Sequence, residues 1–301
     1  MPSQSTVRRT ELTCPGHSLP MMAKAAASAA DEVILDLEDA CAVSQKVAAR
    51  QAVIEALLTL DFGAKTVAFR PNGVHTPFHY RDVIEVVEAA GQRLDVVVLP
   101  KVERAEDVLF VDRLLTQIEQ NMGFEPGRIR LEALIESARA LADVERIAAC
   151  SARLASLIFG LADYAGDIGA RSTEDQWTTF AYPKHKLLVA ARAAGIDAID
   201  NVTFAFRDDE ACRRDADNAA RLGFDGTWVI HPRQIPIVNA AFTPTPAEIE
   251  RASHIIEVYE RAGREEGRGA IVVDDEMIDA ASLRVEAKKL AVARRAGLIA
   301  E

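Results

Sequence analysis

The stretch "EVILDLEDACAVSQKVAARQAVIEALLTL", Glu32–Leu60, decides how the chain is read. It opens with a short apolar run that ends in the acids Asp36, Glu38 and Asp39. It continues into a segment where Val47, Ile54, Leu57 and Leu58 recur at helical spacing behind Ser44 as N-cap. The same strand-then-helix unit repeats outward in both directions. Candidate strands are "ELTC", "EVILDL", "KTVAFR", "DVVVLPK", "RLEALIE", "LASLIFG", "AIDNVTFAF" and "GTWVIHP", with amphipathic segments between them. Eight repeats of this unit predict a (β/α)8 TIM barrel of the α/β class rather than an open doubly wound sheet. No GxGxxG opens any of the helices, which removes the dinucleotide-binding reading.

After "HPRQIPIVNAAF" the pattern changes. "TPTPAEIERASHIIEVYERA" reads as a helix entered through prolines, "GREEGRGAIVV" as a link into a short strand, and "MIDAASLRVEAKKLAVARRAG" as a terminal helix. The expected organisation is a barrel over residues 1–245 and a helical extension over residues 246–301.

Composition narrows the function classes. A net charge of -11 over 301 residues, with no basic stripe, argues against a nucleic-acid surface. The cysteines Cys14, Cys41, Cys150 and Cys212 are scattered without CxxC pairing, so neither a zinc site nor a disulfide framework is expected. No apolar run reaches membrane-spanning length and the first residues lack an apolar signal core, so the expectation is a cytoplasmic protein with no membrane partner.

Strand ends at the C-terminal mouth of such a barrel carry the chemistry. The polar groups there form a series: Asp36, Glu38 and Asp39 after the second strand, then Arg70 and Asn72, Lys101, Glu136, Asp163, Asp200 and His231. Taken singly, a carboxylate after a strand also reads as a helix N-cap. Together, Glu136 and Asp163 at the ends of adjacent strands predict two hard oxygen ligands in one mouth, which suits Mg2+, with Mn2+ as its substitute, better than zinc. Arg70 beside them reads as a holder of a substrate oxygen or as a salt-bridge partner of Glu38. Asp36, Glu38 and Asp39 then orient Arg70 and metal-bound water. His231 reads as a structural histidine, and Trp177 and Phe180 as packing residues.

The motifs "LDLEDA", Lys46 with Ala49 and Arg50, "RPNG", "LPKVE", "LIESARAL", "FGLADYAGDIGA", "RLGFDGTWVIHPRQI" and "FTPTPAEI" run in order along almost the whole chain. In these motifs the sequence resembles the citrate lyase beta-subunit-like proteins of the HpcH/HpaI aldolase superfamily, and within them the malyl-CoA and citramalyl-CoA lyases. The resemblance implies a Mg2+-dependent carbon–carbon lyase that joins or separates acetyl-CoA or propionyl-CoA and a 2-oxo acid, glyoxylate or pyruvate. It implies metal ligation by Glu136 and Asp163, catalysis by Arg70, Glu38 and Asp279, and coenzyme A binding at Lys24 and at Pro232 of "IHPRQI". It also implies a homotrimer or homohexamer in which the tail of one subunit, with Asp279 as base, closes the active site of the next. A carboxylate base in that role is expected to be shielded from water, which raises its pKa. Where family members carry Arg or Asn beside "PG", this chain has His17 and Ser18. Three alternatives stand beside the lyase: a malyl-CoA thioesterase on the same scaffold, an aldolase acting on free 2-oxo acids, and a non-catalytic subunit of an acyl-lyase complex.

Overall fold

A computed structural model describes residues 7–267 and 269–300. It contains a closed barrel of eight parallel strands in sequence order, β1 (Thr10–Pro15), β2 (Glu32–Asp36), β3 (Thr66–Arg70), β4 (Val96–Leu99), β5 (Arg130–Ile135), β6 (Leu154–Phe159), β7 (Asp197–Asp200) and β8 (Gly226–Val229). The seam closes where β1 pairs with β8, Thr10 opposite Thr227 and Leu12 opposite Val229. The chain divides into two compact units, one spanning Arg8–Val238 and one built from residue 239 onward together with Val7. No helix among the described residues is long and apolar enough to cross a membrane.

Strand periodicity sorts the barrel side chains into two sets. Ile34, Ala68, Val96, Val98, Leu134, Ile158, Ile199 and Trp228 form a buried apolar cluster. Their neighbours in sequence, such as Leu35, Phe69, Leu99 and Phe159, are equally buried and by alternation face the surrounding helices. Two residues further along β2 and β5 the inward positions become Asp36 and Glu136. The apolar cluster therefore forms a floor, and charged groups stand above it at the mouth.

Two expected boundaries shift. "AIDNVTFAF" stops being a strand at Asp200, because β8 offers no pairing beyond Asp200 opposite Thr227. There the buried Lys184 ammonium gathers Asp200 Oδ2 and Asn201 Oδ1, both at 2.6 Å, and lies 4.2 Å from the centre of the Trp177 ring. In the second unit, "MID" belongs to a hairpin strand, β10 (Glu276–Asp279), antiparallel to β9 (Ala270–Val273). The helix Pro246–Glu266 opens with a capping box between Thr245 and Glu248, and Ile255, Val273 and Ile278 form a small core with Leu283 of the helix Ala280–Arg295.

Gly226 makes the closest backbone approach of the barrel. A Cβ added there would fall 1.8 Å from the Arg8 carbonyl oxygen, so only glycine lets β1 and β8 meet. Gly226→Ala is expected to cost about 3 kcal/mol of stability through forced strand separation. Denaturant or thermal unfolding measures this, and a variant as stable as the wild type would contradict the account of the seam.

Candidate active site

The geometry starts from Asp36. Its carboxylate accepts Arg70 Nε on Oδ1 and Nη2 on Oδ2, both at 2.7 Å, in a bidentate fork. The same oxygens accept the backbone N–H groups of Glu38 (2.8 Å) and Ala40 (3.0 Å), which folds the acidic loop back over the strand end. Arg70 Nη1 also lies 3.3 Å from Glu38 Oε2, and its guanidinium stacks 5.1 Å from the centre of the Trp228 ring. Burial opposes the charge on Arg70, but Asp36 and Glu38 outweigh it and raise its pKa further. The partner expected for Arg70 was Glu38. The stronger contact is with Asp36.

Beneath this pair lies a network that sequence reasoning did not assemble. Lys46 Nζ donates to the carbonyl oxygens of Leu37 (3.1 Å) and Glu38 (3.0 Å) and to Asn72 Oδ1. Asn72 Nδ2 donates to Asp82 (2.6 Å), which also takes Arg50 Nε (2.9 Å). His79 Nδ1 lies 2.6 Å from the Asn72 carbonyl oxygen. The motif residues Lys46, Arg50 and Asn72 thus pin the loops that follow β2 and β3. The available signal was their shared position just after strands; their mutual partners are separated by up to about thirty residues and are not visible in a local pattern.

On the opposite wall, Glu136 follows β5 and is almost wholly buried. Its Oε1 accepts the Lys101 backbone N–H at 2.5 Å. Lys101 adopts a left-handed backbone conformation (φ 53°), a strained choice for a non-glycine residue, and that conformation turns its amide toward Glu136. Gly160 faces the same carboxylate: a Cβ there would come 2.8 Å from Glu136 Oε2. Burial pushes the Glu136 pKa up to about 7; Lys101 opposes the rise and Asp163 adds to it.

Asp163 does not end β6 as expected. It lies in the first turn of the helix Leu161–Asp167, half-exposed, and receives Lys101 Nζ at 2.9 Å. The Lys101 ammonium also approaches Glu38 Oε1 (3.3 Å) and Asp39 Oδ2 (3.4 Å), so it ties the two walls of the mouth together. Asp39 is drawn below its ordinary pKa: burial pushes it up, and Lys101 and the Glu38 contact more than cancel that. Glu38 moves up, mainly through burial, with Arg70 opposing. Glu136, Asp163 and Lys101 line one cleft of about 920 Å3 together with His75, Arg104 and Asp167. Its ionisable lining is predominantly acidic oxygen with no thiol, which fits a hard divalent cation.

The remaining expected residues are dispersed. Lys24 is exposed in the last turn of the helix Leu19–Ala26, and Pro232 is exposed in the loop after β8. His17 is exposed with Nδ1 3.5 Å from Cys41 Sγ. His231 stacks on Phe206 with ring centroids 5.0 Å apart and accepts the Arg233 N–H on Nδ1. A pocket of about 560 Å3 lies between Phe204, Phe206, Arg207 and Arg233 in the loops after β7 and β8. Trp177 and Phe180 pack rather than line the cleft: Phe180 is buried, and Trp177 Nε1 donates to Asp215.

Asp279 differs from its expected state. It belongs to the second unit and caps the helix Ala280–Arg295, Oδ1 accepting the N–H groups of Ala281 and Ser282 at 2.9 Å. The amide and hydroxyl of Ser282, with the Ala281 amide, lower its pKa, and within one chain these bonds outweigh the opposing effect of burial.

The comparisons agree with this architecture. The L-malyl-CoA/beta-methylmalyl-CoA lyase of Rhodobacter capsulatus is 40% identical over 299 residues, covering 94% of this chain and 93% of that protein. A (3S)-malyl-CoA thioesterase of Cereibacter sphaeroides is 36% identical over 279 residues, covering 93% and 92%. Among solved structures, CitE from Mycobacterium tuberculosis in complex with magnesium, acetoacetate and coenzyme A superposes with a TM-score of 0.79 at 30% identity, covering 98% of this chain and 99% of that one. The model of the HpcH/HpaI aldolase/citrate lyase family matches residues 9–232, from the start of β1 to the loop after β8. With barrel, mouth and near full-length similarity in agreement, the chain belongs to the HpcH/HpaI aldolase/citrate lyase family.

Proposed function

We propose that the chain is a Mg2+-dependent lyase that reversibly cleaves a 3-hydroxyacyl-CoA of the malyl-CoA type into an acyl-CoA and a 2-oxo acid. The observation that carries this reading is the convergence on one mouth of Glu136, Asp163 and Lys101 with a guanidinium that is held by Asp36. Support comes from the similarity to a malyl-CoA lyase and from the magnesium and coenzyme A bound by the M. tuberculosis CitE. Glu136 and Asp163 would hold the metal. Mg2+ bound there supplies Lewis-acid chemistry to the substrate oxygens.

The chain's own groups divide the remaining work. Arg70 has N–H donors beyond those engaged by Asp36 and Glu38, and they face the keto oxygen of the 2-oxo acid as negative charge develops on it. Asp36 and Glu38 are positioning residues for that fork. Lys101 holds Asp163 and the acidic loop together. In the condensation direction, Asp279 of a neighbouring copy takes a proton from the α-carbon of the acyl-CoA, and the resulting enolate adds to the keto carbon. Cleavage reverses these steps. Asp279 can serve only when another copy desolvates it, since within one chain its capping bonds keep the pKa low. Lys24, Pro232 and the pocket beside Arg207 and Arg233 are assigned to coenzyme A, and the active form to a homotrimer or homohexamer.

The similarity to a malyl-CoA thioesterase supports one second reading, hydrolysis of the thioester at the same mouth. Product analysis with malyl-CoA separates them: glyoxylate plus acetyl-CoA is expected, and free malate plus coenzyme A would replace the lyase with the hydrolase. Glu136→Gln and Asp163→Asn are each expected to lower turnover by about 10²-fold or more at saturating Mg2+, and a variant with wild-type turnover would remove that residue from the metal site. Asp279→Asn preserves the helix cap and removes the base, so folding should be unchanged while kcat falls on the order of 10² to 10⁴-fold. Retention of full activity in that variant would leave Asp279 as a cap alone.

A further inference from the structure

The barrel interior is charged at both ends. Below the apolar floor, Glu11 of β1, Glu32 of β2 and Glu132 of β5 are fully buried, and each contributes a carboxylate oxygen to a group lying within 4.8 Å of one another. Glu11 stands opposite Glu32 in register, and Glu132 opposite Ser156 of β6. Strand alternation places Glu32 and Glu132 four residues below Asp36 and Glu136, about 13 Å along the strand, with Ile34 and Leu134 between. The base cluster is therefore separate from the mouth.

Among the described residues, Arg8 is the cation that ion-pairs with this group. Arg8 Nη1 lies 2.9 Å from Glu132 Oε1 and 3.8 Å from Asp197 Oδ2, and its Nε lies 3.6 Å from Glu32 Oε2. Arg130, one step below on β5, directs its guanidinium to the Leu154 carbonyl oxygen at 3.4 Å. Asp95, at the foot of β4, accepts the Val67 N–H. Apart from these ion pairs with Arg8, no oxygen of Glu11, Glu32 or Glu132 meets a hydrogen-bond donor in good geometry among the described residues, and neither does the fully buried Ser156 hydroxyl beside them. Buried carboxylates in excess of their cationic partners cost several kcal/mol each, and here three share the single Arg8 guanidinium, so the cluster favours taking up further positive charge. Burial raises the pKa of all three glutamates, Glu132 adds to the rise at Glu11 and Glu32, and Arg8 opposes it throughout.

We propose that Glu11, Glu32 and Glu132, with the Ser156 hydroxyl, form a second divalent-cation site at the base of the barrel, which takes Ca2+ or Mn2+. The donors are all hard oxygens, and their spacing suits metal–oxygen distances of about 2.1 to 2.6 Å. Glutamates supplied wholly by the protein favour Ca2+ or Mn2+ over Mg2+, which keeps much of its water. Because the site is enclosed, the ion enters as the barrel folds and joins β1, β2 and β5 across the interior.

Mn2+ tests this directly. The protein is produced with Mn2+, desalted, and crystallised for anomalous diffraction at the manganese edge. A peak among Glu11, Glu32 and Glu132 is expected, distinct from any peak between Glu136 and Asp163. The two peaks report separately, so loss of the mouth peak bears on the proposed activity and loss of the base peak on this proposal. In solution, the Glu136→Gln/Asp163→Asn variant should retain one tightly held Mn2+ per chain by elemental analysis and electron paramagnetic resonance. Adding Glu11→Gln and Glu132→Gln should abolish it. A base without an anomalous peak, its glutamates neutralised by protons alone, overturns the proposal, as does Mn2+ retained undiminished when the glutamines are introduced.

Discussion

The bidentate pair between Asp36 and Arg70 is the interaction on which the mouth depends. Asp36 stands where an inward strand position meets a loop, and its two oxygens serve four donors, two from the guanidinium and two from the backbone of Glu38 and Ala40. One side chain therefore fixes the direction of Arg70 and the shape of the acidic loop together. Buried without Arg70, Asp36 would carry an uncompensated charge; without Asp36, the guanidinium would lose its fixed orientation. The pair is also what allows Glu38 and Asp39 to turn toward Lys101 and the far wall.

The second consequence concerns cation balance. Lys101 reaches Asp163, Glu38 and Asp39, and its backbone amide reaches Glu136. One residue in a strained conformation thereby links acids that follow three different strands. Without a second cation, the cleft remains acidic and Glu136 is pushed toward protonation. This is the setting in which a divalent ion gains most from binding, because it relieves a repulsion already present.

Much of this was legible in the sequence, and the reasons for the remainder are physical. The eight strand–helix units follow from periodicity that each segment carries locally, and Arg70, Glu136 and Asp36 follow from their place after apolar runs. Asp163 was displaced by a single element boundary, because Gly160 ends the strand and the acid falls on the next helical turn. Lys101 resisted assignment since its role rests on a left-handed backbone, which no side-chain pattern announces. Asp279 was expected as a base; the structure shows a local helix cap, while the proposed base depends on another copy. Glu11, Glu32 and Glu132 were not singled out, because they stand near the starts of their strands and not at the ends where chemistry is expected. The same alternation that places Asp36 and Glu136 inward places them inward too, and following it in both directions would have found the base cluster.

The most direct test of the central claim is a crystal structure of the protein with Mg2+ and glyoxylate. The account predicts the ion between Glu136 and Asp163, with the keto oxygen of glyoxylate within hydrogen-bond distance of an Arg70 N–H and Asp36 still gripping the guanidinium. Glyoxylate bound away from Arg70, or the two carboxylates turned to separate regions around an ion-free mouth, would contradict it.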